Sequence, residues 1–282
     1  MAKINLIPYP CGLGAQKAEC GTSPDNFKNL RMFDKNQWID FPEITTDETN
    51  KPNAIYGYCK ALAGLVNISL NNGDFPVTIG GDHSMAIGTW SAVTHHFKAQ
   101  EKFGLIWIDA HMDSHTPETS GSGAYHGMPL ATLLGFGDPD LCSIFSSDAK
   151  LAPEHVCLIG IRSFEKAEKE LLDKLGVKVF YMDDVKEHGI SKIFHQALQI
   201  ANNGTKAYGV SIDLDGFDPT DAPGTGSLED DGILAQELLA ELQNIKGDTR
   251  LKALEIAEYN HLLDKNEKTA ILMRDIINNI TK

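Results

Sequence analysis

Short apolar runs alternate with longer amphipathic stretches along this chain. The apolar runs have the length of buried strands, whereas the longer stretches carry apolar residues at the three- and four-residue spacing of a helix. Leu234, Leu238 and Leu242, for example, recur every four residues. The pattern predicts strands at residues 3–8, 75–79, 103–109, 155–161, 177–182, 207–213 and 251–258, and helices at residues 51–71, 85–97, 164–175, 191–202, 233–244 and 265–280.

The order of these elements indicates the fold class. Strands that alternate with helices favour an α/β architecture, with a parallel sheet and helices on both of its faces. The chain has 282 residues and shows no internal repeat or linker, so residues 1–282 are predicted to form a single domain. In such sheets, ligands bind beyond the carboxyl ends of the strands.

The charge balance changes the list of expected partners. The chain has 39 acidic residues against 25 Lys and Arg residues, for a formal net charge of −14. An acidic surface repels phosphate backbones, and no basic cluster is present, so no nucleic-acid partner is expected. The same charge attracts small cations.

Cysteine usage and the apolar runs bear on localisation. The cysteines are odd in number and scattered, which argues against a disulfide framework and suits a reducing cytoplasm. The N-terminal apolar run is broken at Pro8, too early for a signal peptide. No apolar run approaches the roughly 18 residues of a membrane helix, so neither a membrane span nor a membrane partner is expected. The cysteines are Cys11, Cys20, Cys59, Cys142 and Cys157.

Carboxylates and an imidazole gather at the ends of two predicted strands. Side chains at alternate positions of a strand point to the same face, so the members of each cluster are expected to converge. Four converging carboxylates repel one another strongly unless cations lie between them. A pair of divalent metal ions is therefore predicted. The clusters are Asp109, His111 and Asp113 after one apolar run, and Asp213 and Asp215 after the other.

A third element is predicted to reach the same edge. Gly80 and Gly81 permit a tight turn after the strand at residues 75–79, and that turn places His83 at the rim. An isolated Asp-x-Asp is usually a solvated turn, but three such elements after three strands favour a metal site. Hard carboxylates with two imidazoles and no thiolate favour Mn²⁺ over structural Zn²⁺. Mg²⁺ usually keeps more water, while Fe²⁺, Co²⁺ and Ni²⁺ also suit the donors.

Three motifs together resemble the signatures of the ureohydrolase family, which includes arginase, agmatinase, formiminoglutamase and related guanidino-acid hydrolases. They occur in the family's order and spacing, and the resemblance extends from about Val77 to Glu258. The motifs are Gly80-Gly81-Asp82-His83-Ser84, Asp109-Ala110-His111-Met112-Asp113 and Ser211-Ile212-Asp213-Leu214-Asp215-Gly216-Phe217-Asp218-Pro219.

The resemblance is closest to arginase and implies both a fold and a metal centre. It implies a three-layer α/β/α sandwich around a mainly parallel, roughly eight-stranded sheet, with two Mn²⁺ ions per subunit. It also implies a homo-oligomer, either a trimer or a hexamer. The implied metal ligands are Asp109 and Asp213 as bridges, His83 and Asp113 on one ion, and His111 and Asp215 on the other.

The resemblance implies catalytic roles as well. Two metal ions lower the pKa of a water so that hydroxide is present at neutral pH. Asp113 would pass a proton from the attacking hydroxide to the leaving nitrogen. Glu258 would pair with the guanidinium, whose planar fork of N–H donors suits a carboxylate. His126 would exchange protons with solvent, since histidine titrates near neutral pH. Glu255 is expected to point to the opposite face from Glu258.

Substrate recognition departs from the arginase pattern. The predicted substrate-binding residues are His115, Ser122, Glu165 and Ser227. His115 and Ala124 stand where arginases carry asparagines that hold the α-carboxylate, while Ser122 matches. Glu165 replaces an aspartate near the α-amino group, and Ser227 replaces a threonine near the guanidinium. The predicted metal-binding and catalytic residues therefore match the arginase pattern, whereas the substrate-binding residues are partly altered.

Three functional hypotheses follow. The first is hydrolysis of L-arginine to L-ornithine and urea by a manganese-dependent amidinohydrolase. The second keeps this chemistry but acts on agmatine, a guanidino acid or formiminoglutamate. The third is a non-catalytic binding or scaffold protein. The presence of every expected metal ligand argues against this third hypothesis. In each enzymatic case the partner is a small guanidino or formimino substrate.

Overall fold

Seven parallel strands form one sheet in the computed structural model, which describes residues 3–47, 49–97 and 101–281. The order across the sheet is β1-β2-β7-β6-β3-β4-β5, and every pairing is parallel. The strands are β1 (Ile4–Tyr9), β2 (Phe75–Gly80), β3 (Phe103–Ile108), β4 (Val156–Ile161), β5 (Lys178–Tyr181), β6 (Ala207–Asp213) and β7 (Leu251–Ala257).

Each predicted strand is present, and no strand end differs from the prediction by more than one residue. β3, β4 and β6 are buried along their whole lengths, as expected of parallel strands covered on both faces. The α/β sandwich is confirmed. The sheet has seven strands among the described residues, rather than the roughly eight that the family resemblance implied.

Helices cover both faces of the sheet. All six predicted helices are present, although three begin two or three residues later than predicted because Phe164, Ile233 and Lys265 lie in the preceding loops. The helices are α1 (Ser23–Asn29), α2 (Lys51–Asn71), α3 (Met85–His95), α4 (Pro129–Leu133), α5 (Pro139–Cys142), α6 (Lys166–Leu175), α7 (Met182–His188), α8 (Ile190–Asn202), α9 (Ala235–Asn244) and α10 (Lys268–Thr281).

Four short helices were not predicted. α1, α4, α5 and α7 are too short to display a helical period in the sequence. Met182, predicted as the end of a strand, instead begins α7. α4 and α5 each have a proline in the first turn, where the missing N–H costs nothing because it has no partner within the helix.

The two faces of the sheet build two separate parts of the core. Along β3, Ile106 and Ile108 join one cluster of buried side chains, while Leu105 and Trp107 join the other. This alternation follows from the two-residue period of a strand and produces the three-layer arrangement. Within the described residues, no helix has both the length and the apolar character needed to cross a membrane.

Candidate metal centre

The candidate metal centre lies where three elements end at the same edge of the sheet. β2 leads into the turn that carries His83, β3 leads to Asp109, and β6 ends at Asp213. Since β2, β7, β6 and β3 are consecutive across the sheet, these ends are close in space. The structure brings together all six predicted ligands, in two groups that share Asp109.

The turn that carries His83 depends on glycine. A Cβ atom on Gly81 would lie 2.2 Å from the carbonyl oxygen of Tyr9 and 2.6 Å from that of Cys11. Any side chain would force this turn away from β1. Gly81 thus lets the backbone pass close to the sheet and hold His83, which is fully buried, at the rim.

The clusters converge by turns rather than by strand alternation, which corrects the prediction. β3 ends at Ile108, so Asp109, His111 and Asp113 all lie beyond the strand. The Asp109 carboxylate accepts a hydrogen bond from the His111 amide at 2.7 Å. Asp113 has a φ of +46°, in the left-handed region that a non-glycine residue rarely adopts. This conformation turns its carboxylate back towards His83.

The first ligand group surrounds one imidazole nitrogen with carboxylates. His83 Nδ1 lies 2.9 Å from Asp213 Oδ2, 3.1 Å from Asp113 Oδ2 and 3.3 Å from Asp109 Oδ2. The potential ligand atoms of His83, Asp109, Asp113 and Asp213 all lie within 4.8 Å of one another. The four residues are buried.

The second group consists of Asp109, His111 and Asp215. His111 Nδ1 lies 3.1 Å from Asp215 Oδ2 and 3.5 Å from Asp109 Oδ1. Asp213 does not join this group; its Oδ1 accepts a hydrogen bond from the Asp215 amide at 2.9 Å. Asp109 therefore stands between the two groups, whereas bridging by Asp213 remains a prediction.

The electrostatics of the cluster fit divalent cations. Burial and the neighbouring Asp109 raise the pKa of Asp113 to about 7, and burial raises the pKa of Asp213 well above its usual range. Burial alone would lower the pKa of His83, but the surrounding carboxylates raise it well above 6.5. His83 Nδ1 is nevertheless buried without a hydrogen-bond partner of good geometry. A metal ion would satisfy this atom and the carboxylates together.

A cavity of about 270 Å³ opens above the cluster, and most of the predicted substrate-binding residues line it. His115, Glu165 and Ser227 line it, together with His126. Ser122 is not part of this lining, since it is exposed and its hydroxyl accepts a hydrogen bond from the Ala124 amide. Its predicted contact with substrate remains a prediction.

Gln16 and Glu168 are among the lining residues that sequence reasoning missed. Glu168 is buried, and its carboxylate accepts hydrogen bonds from the amides of Ser114 at 3.2 Å and Glu165 at 2.9 Å. The available signal was its position three residues after Glu165, which completes a capping box at the start of α6. Gln16 lies in the loop after β1, which had no assigned motif.

Glu258 and His126 form a pair beside the cluster. Glu258 Oε1 accepts a hydrogen bond from the His83 amide at 2.8 Å and lies 3.1 Å from His126 Nδ1. Both residues line a small cavity of about 40 Å³ that also includes Ser227. Burial is the largest single influence and opposes ionisation of Glu258, but the hydrogen bond and charge of His126 and the hydrogen bond from the His83 amide together outweigh it and lower the pKa of this carboxyl group.

Residues 10–281 match the model of the Arginase family. The chain belongs to the arginase family. It is similar to the arginase of Bacillus caldovelox, with 42% identity over 215 residues that cover 74% of this chain and 69% of that protein. It is also similar to the arginase of Bacillus subtilis strain 168, with 34% identity over 279 residues and coverage of 94% and 93%.

The fold agrees with this relationship. The crystal structure of arginase from Bacillus subtilis subsp. subtilis strain 168 superposes with a TM-score of 0.91 and 31% identity, covering 99% of this chain and 98% of the other. The predicted ureohydrolase resemblance is thus confirmed. As a member of the arginase family, the chain is a metal-dependent ureohydrolase, and the scaffold hypothesis is not supported.

Proposed function

We propose that the protein hydrolyses L-arginine to L-ornithine and urea at a dinuclear Mn²⁺ centre. The observation that carries the proposal is the pair of ligand groups that share Asp109 below a cavity of about 270 Å³. The names of the curated relatives support arginine as the substrate. Carboxylates outnumber imidazoles among the ligands, and this donor set supports Mn²⁺.

The proposed ligands are the six residues that converge at the edge of the sheet. When two divalent ions are bound, they lower the pKa of a water and so supply the nucleophile. The ligand set comprises His83, Asp113 and Asp213 around one position, His111 and Asp215 around the other, and Asp109 between them.

Asp113 is the proposed proton carrier. Its carboxylate lines the cavity and belongs to the first ligand group, so it lies beside both the proposed nucleophile and a bound substrate. It takes a proton from the attacking oxygen and transfers it to the nitrogen that leaves. A carboxylate placed beside both reacting atoms suits this double role.

Glu258 and His126 are proposed to act on the guanidinium and its protons. The carboxylate of Glu258 is buried and favours ionisation, so it can pair with the planar cation. His126 contacts Glu258 and is also part of the larger cavity. It can therefore exchange protons between the site and solvent.

The far end of the cavity is proposed to hold the amino-acid part of the substrate. His115 Nε2 lies 3.5 Å from both Glu165 Oε2 and Glu168 Oε2. Glu165 suits the α-ammonium group, and His115 offers an N–H to the α-carboxylate. Ser122 supplies a further hydroxyl from the loop, and Ser227, which lines both cavities, contacts the guanidinium. Because one asparagine of the arginase pattern is replaced by Ala124, we expect weaker carboxylate binding, by about 1.5–3 kcal/mol.

The test is urea release from arginine by protein loaded with Mn²⁺, measured beside agmatine, a guanidino acid and formiminoglutamate. Formamide release is measured for the last substrate. Arginine should have the highest kcat/KM. A preference for agmatine would replace the proposed substrate while leaving the chemistry intact, whereas no turnover of any compound would refute the catalytic proposal.

We further propose a cytoplasmic homo-oligomer, either a trimer or a hexamer. The five cysteines are free among the described residues, which supports a reducing compartment. Light scattering measures the oligomeric mass, and a monomeric mass at micromolar concentration would contradict the oligomer.

A further inference from the structure

Glu255 is a buried carboxylate without a role in the proposed reaction. It lies on β7, in register with Thr78 of β2 and Ser211 of β6, and is completely inaccessible to solvent. Burial raises the pKa of this carboxyl group, and an ionisable group in such a position is costly unless it is paired. Its neighbours indicate what it does.

Glu255 is linked to the metal centre through one serine. The Ser211 hydroxyl donates a hydrogen bond to Glu255 Oε1 at 2.7 Å. The same hydroxyl oxygen lies 3.1 Å from His83 Nε2, while Glu255 Oε1 is 3.8 Å from that nitrogen. The three side chains thus form a chain from β7 through β6 to His83.

The direction of the hydrogen bonds follows from the chemistry of the groups. The Ser211 hydroxyl has a single proton, and it points towards Glu255 Oε1. The Ser211 oxygen must then accept a hydrogen bond from the N–H at His83 Nε2. A neutral His83 with its hydrogen on Nε2 has a free lone pair on Nδ1. Nδ1 is the atom that lies among the three carboxylates of the first ligand group, so the lone pair is available to a metal ion.

We propose that Glu255 and Ser211 are positioning residues, which fix His83 in the tautomer that binds metal. The inference rests on the proposed metal centre. Groups that hold the second nitrogen of a metal-binding histidine typically change metal affinity by about 10- to 100-fold. His83 belongs to only one ligand group, so the effect is confined to one of the two ions.

Trp90 provides a matched control. Its indole Nε1–H donates to the same Glu255 Oε1 at 3.1 Å, and its ring is fully buried on α3. Trp90→Phe removes this hydrogen bond but leaves the link from Glu255 through Ser211 to His83. A purely structural role of Glu255 would make Trp90→Phe and Ser211→Ala similar in their effects.

The experiment titrates metal-free full-length protein with Mn²⁺ alone. Free Mn²⁺ is followed by electron paramagnetic resonance, and bound metal is counted by elemental analysis. Ser211→Ala and Glu255→Met, which remove the hydroxyl and the acceptor, should weaken one site about 10- to 100-fold and leave the other unchanged. Glu255→Gln, whose amide oxygen can still accept from Ser211, should bind like the wild type. Trp90→Phe should lower the melting temperature without changing either affinity.

Two results would overturn the inference. One is wild-type binding of both ions by Ser211→Ala and Glu255→Met. The other is equal weakening of both sites in these variants and in Trp90→Phe, which indicates general destabilisation. A wild-type protein that binds no Mn²⁺ would instead refute the proposed metal centre, so the two failures are distinguishable.

Discussion

The pair formed by His126 and Glu258 should make the stability of the metal-free protein depend on pH. Burial by itself lowers the pKa of His126, but the hydrogen bond and charge of Glu258, with Asp113 and Asp82 nearby, raise it from 6.5 to about 9. The folded state therefore holds the proton more tightly than the unfolded chain. The perturbation that isolates this effect is His126→Asn, which keeps a polar side chain and cannot be protonated.

The magnitude follows from the size of the pKa difference. A histidine pKa that rises from 6.5 to about 9 corresponds to about 3 kcal/mol of added stability in the protonated state. The His126 side chain is 21% exposed, and solvent screens part of the interaction, so this value is an upper limit. The stabilisation is complete below pH 6.5 and is lost as pH rises through 9.

The assay is urea denaturation of wild-type and His126→Asn protein in chelator, at intervals from pH 6 to pH 10. The difference in unfolding free energy between the two proteins should be greatest at the acid end and shrink towards pH 10. His195→Asn, on the exposed face of α8, serves as the control and should show no such trend. A difference that stays constant across this range would refute the assigned pairing.

Three further outcomes test the metal site and its framework. Asp109→Asn changes the carboxylate shared by both ligand groups, so metal analysis should find fewer than two ions and the urea assay no turnover. Two ions with a normal rate would contradict the shared role. Mn²⁺ added to metal-free protein at pH 7 should displace protons, detected with an indicator in weak buffer, because the raised pKa values of His83 and Asp213 favour their protonated forms. Arg162→Met removes the guanidinium that donates to the carbonyls of Asp215 and Glu229. Its unfolding free energy in urea should fall by about 2–4 kcal/mol. An unchanged urea midpoint of unfolding would contradict the stabilising role of the Arg162 hydrogen bonds.

The sequence pattern predicted the strands and the convergence of the candidate metal ligands because both depend on local signals. Each strand is a short apolar run between polar segments, and each ligand motif directly follows a strand. The order of strands in the sheet was not predictable in the same way. β7 pairs with β2, and these two strands are separated by a long stretch of sequence, so their pairing leaves no local signal.

Side-chain roles that depend on distant partners were also missed. Glu168 resembles an ordinary helix-cap residue, yet its carboxylate joins α6 to the Ser114 amide and reaches the cavity. Arg162 donates to carbonyl oxygens from both the Asp215 turn and the loop at Glu229. Such contacts become visible only when the loops are placed, because an arginine can reach many alternative acceptors along a chain.

The proposed proton carrier and the proposed guanidinium partner both have a strained backbone conformation. Asp113 and Glu258 both adopt left-handed conformations, with φ of +46° and +64°, at a cost of about 1–3 kcal/mol each. Both are held by their surroundings. The Asp113 carbonyl accepts a hydrogen bond from the Leu130 amide at 2.9 Å, and the Glu258 amide donates to the Gly81 carbonyl at 2.7 Å. The second bond joins the end of β7 to the glycine turn that carries His83. The residue proposed to pair with the guanidinium is therefore tied to the turn that carries a proposed metal ligand, and the fold fixes the position of both.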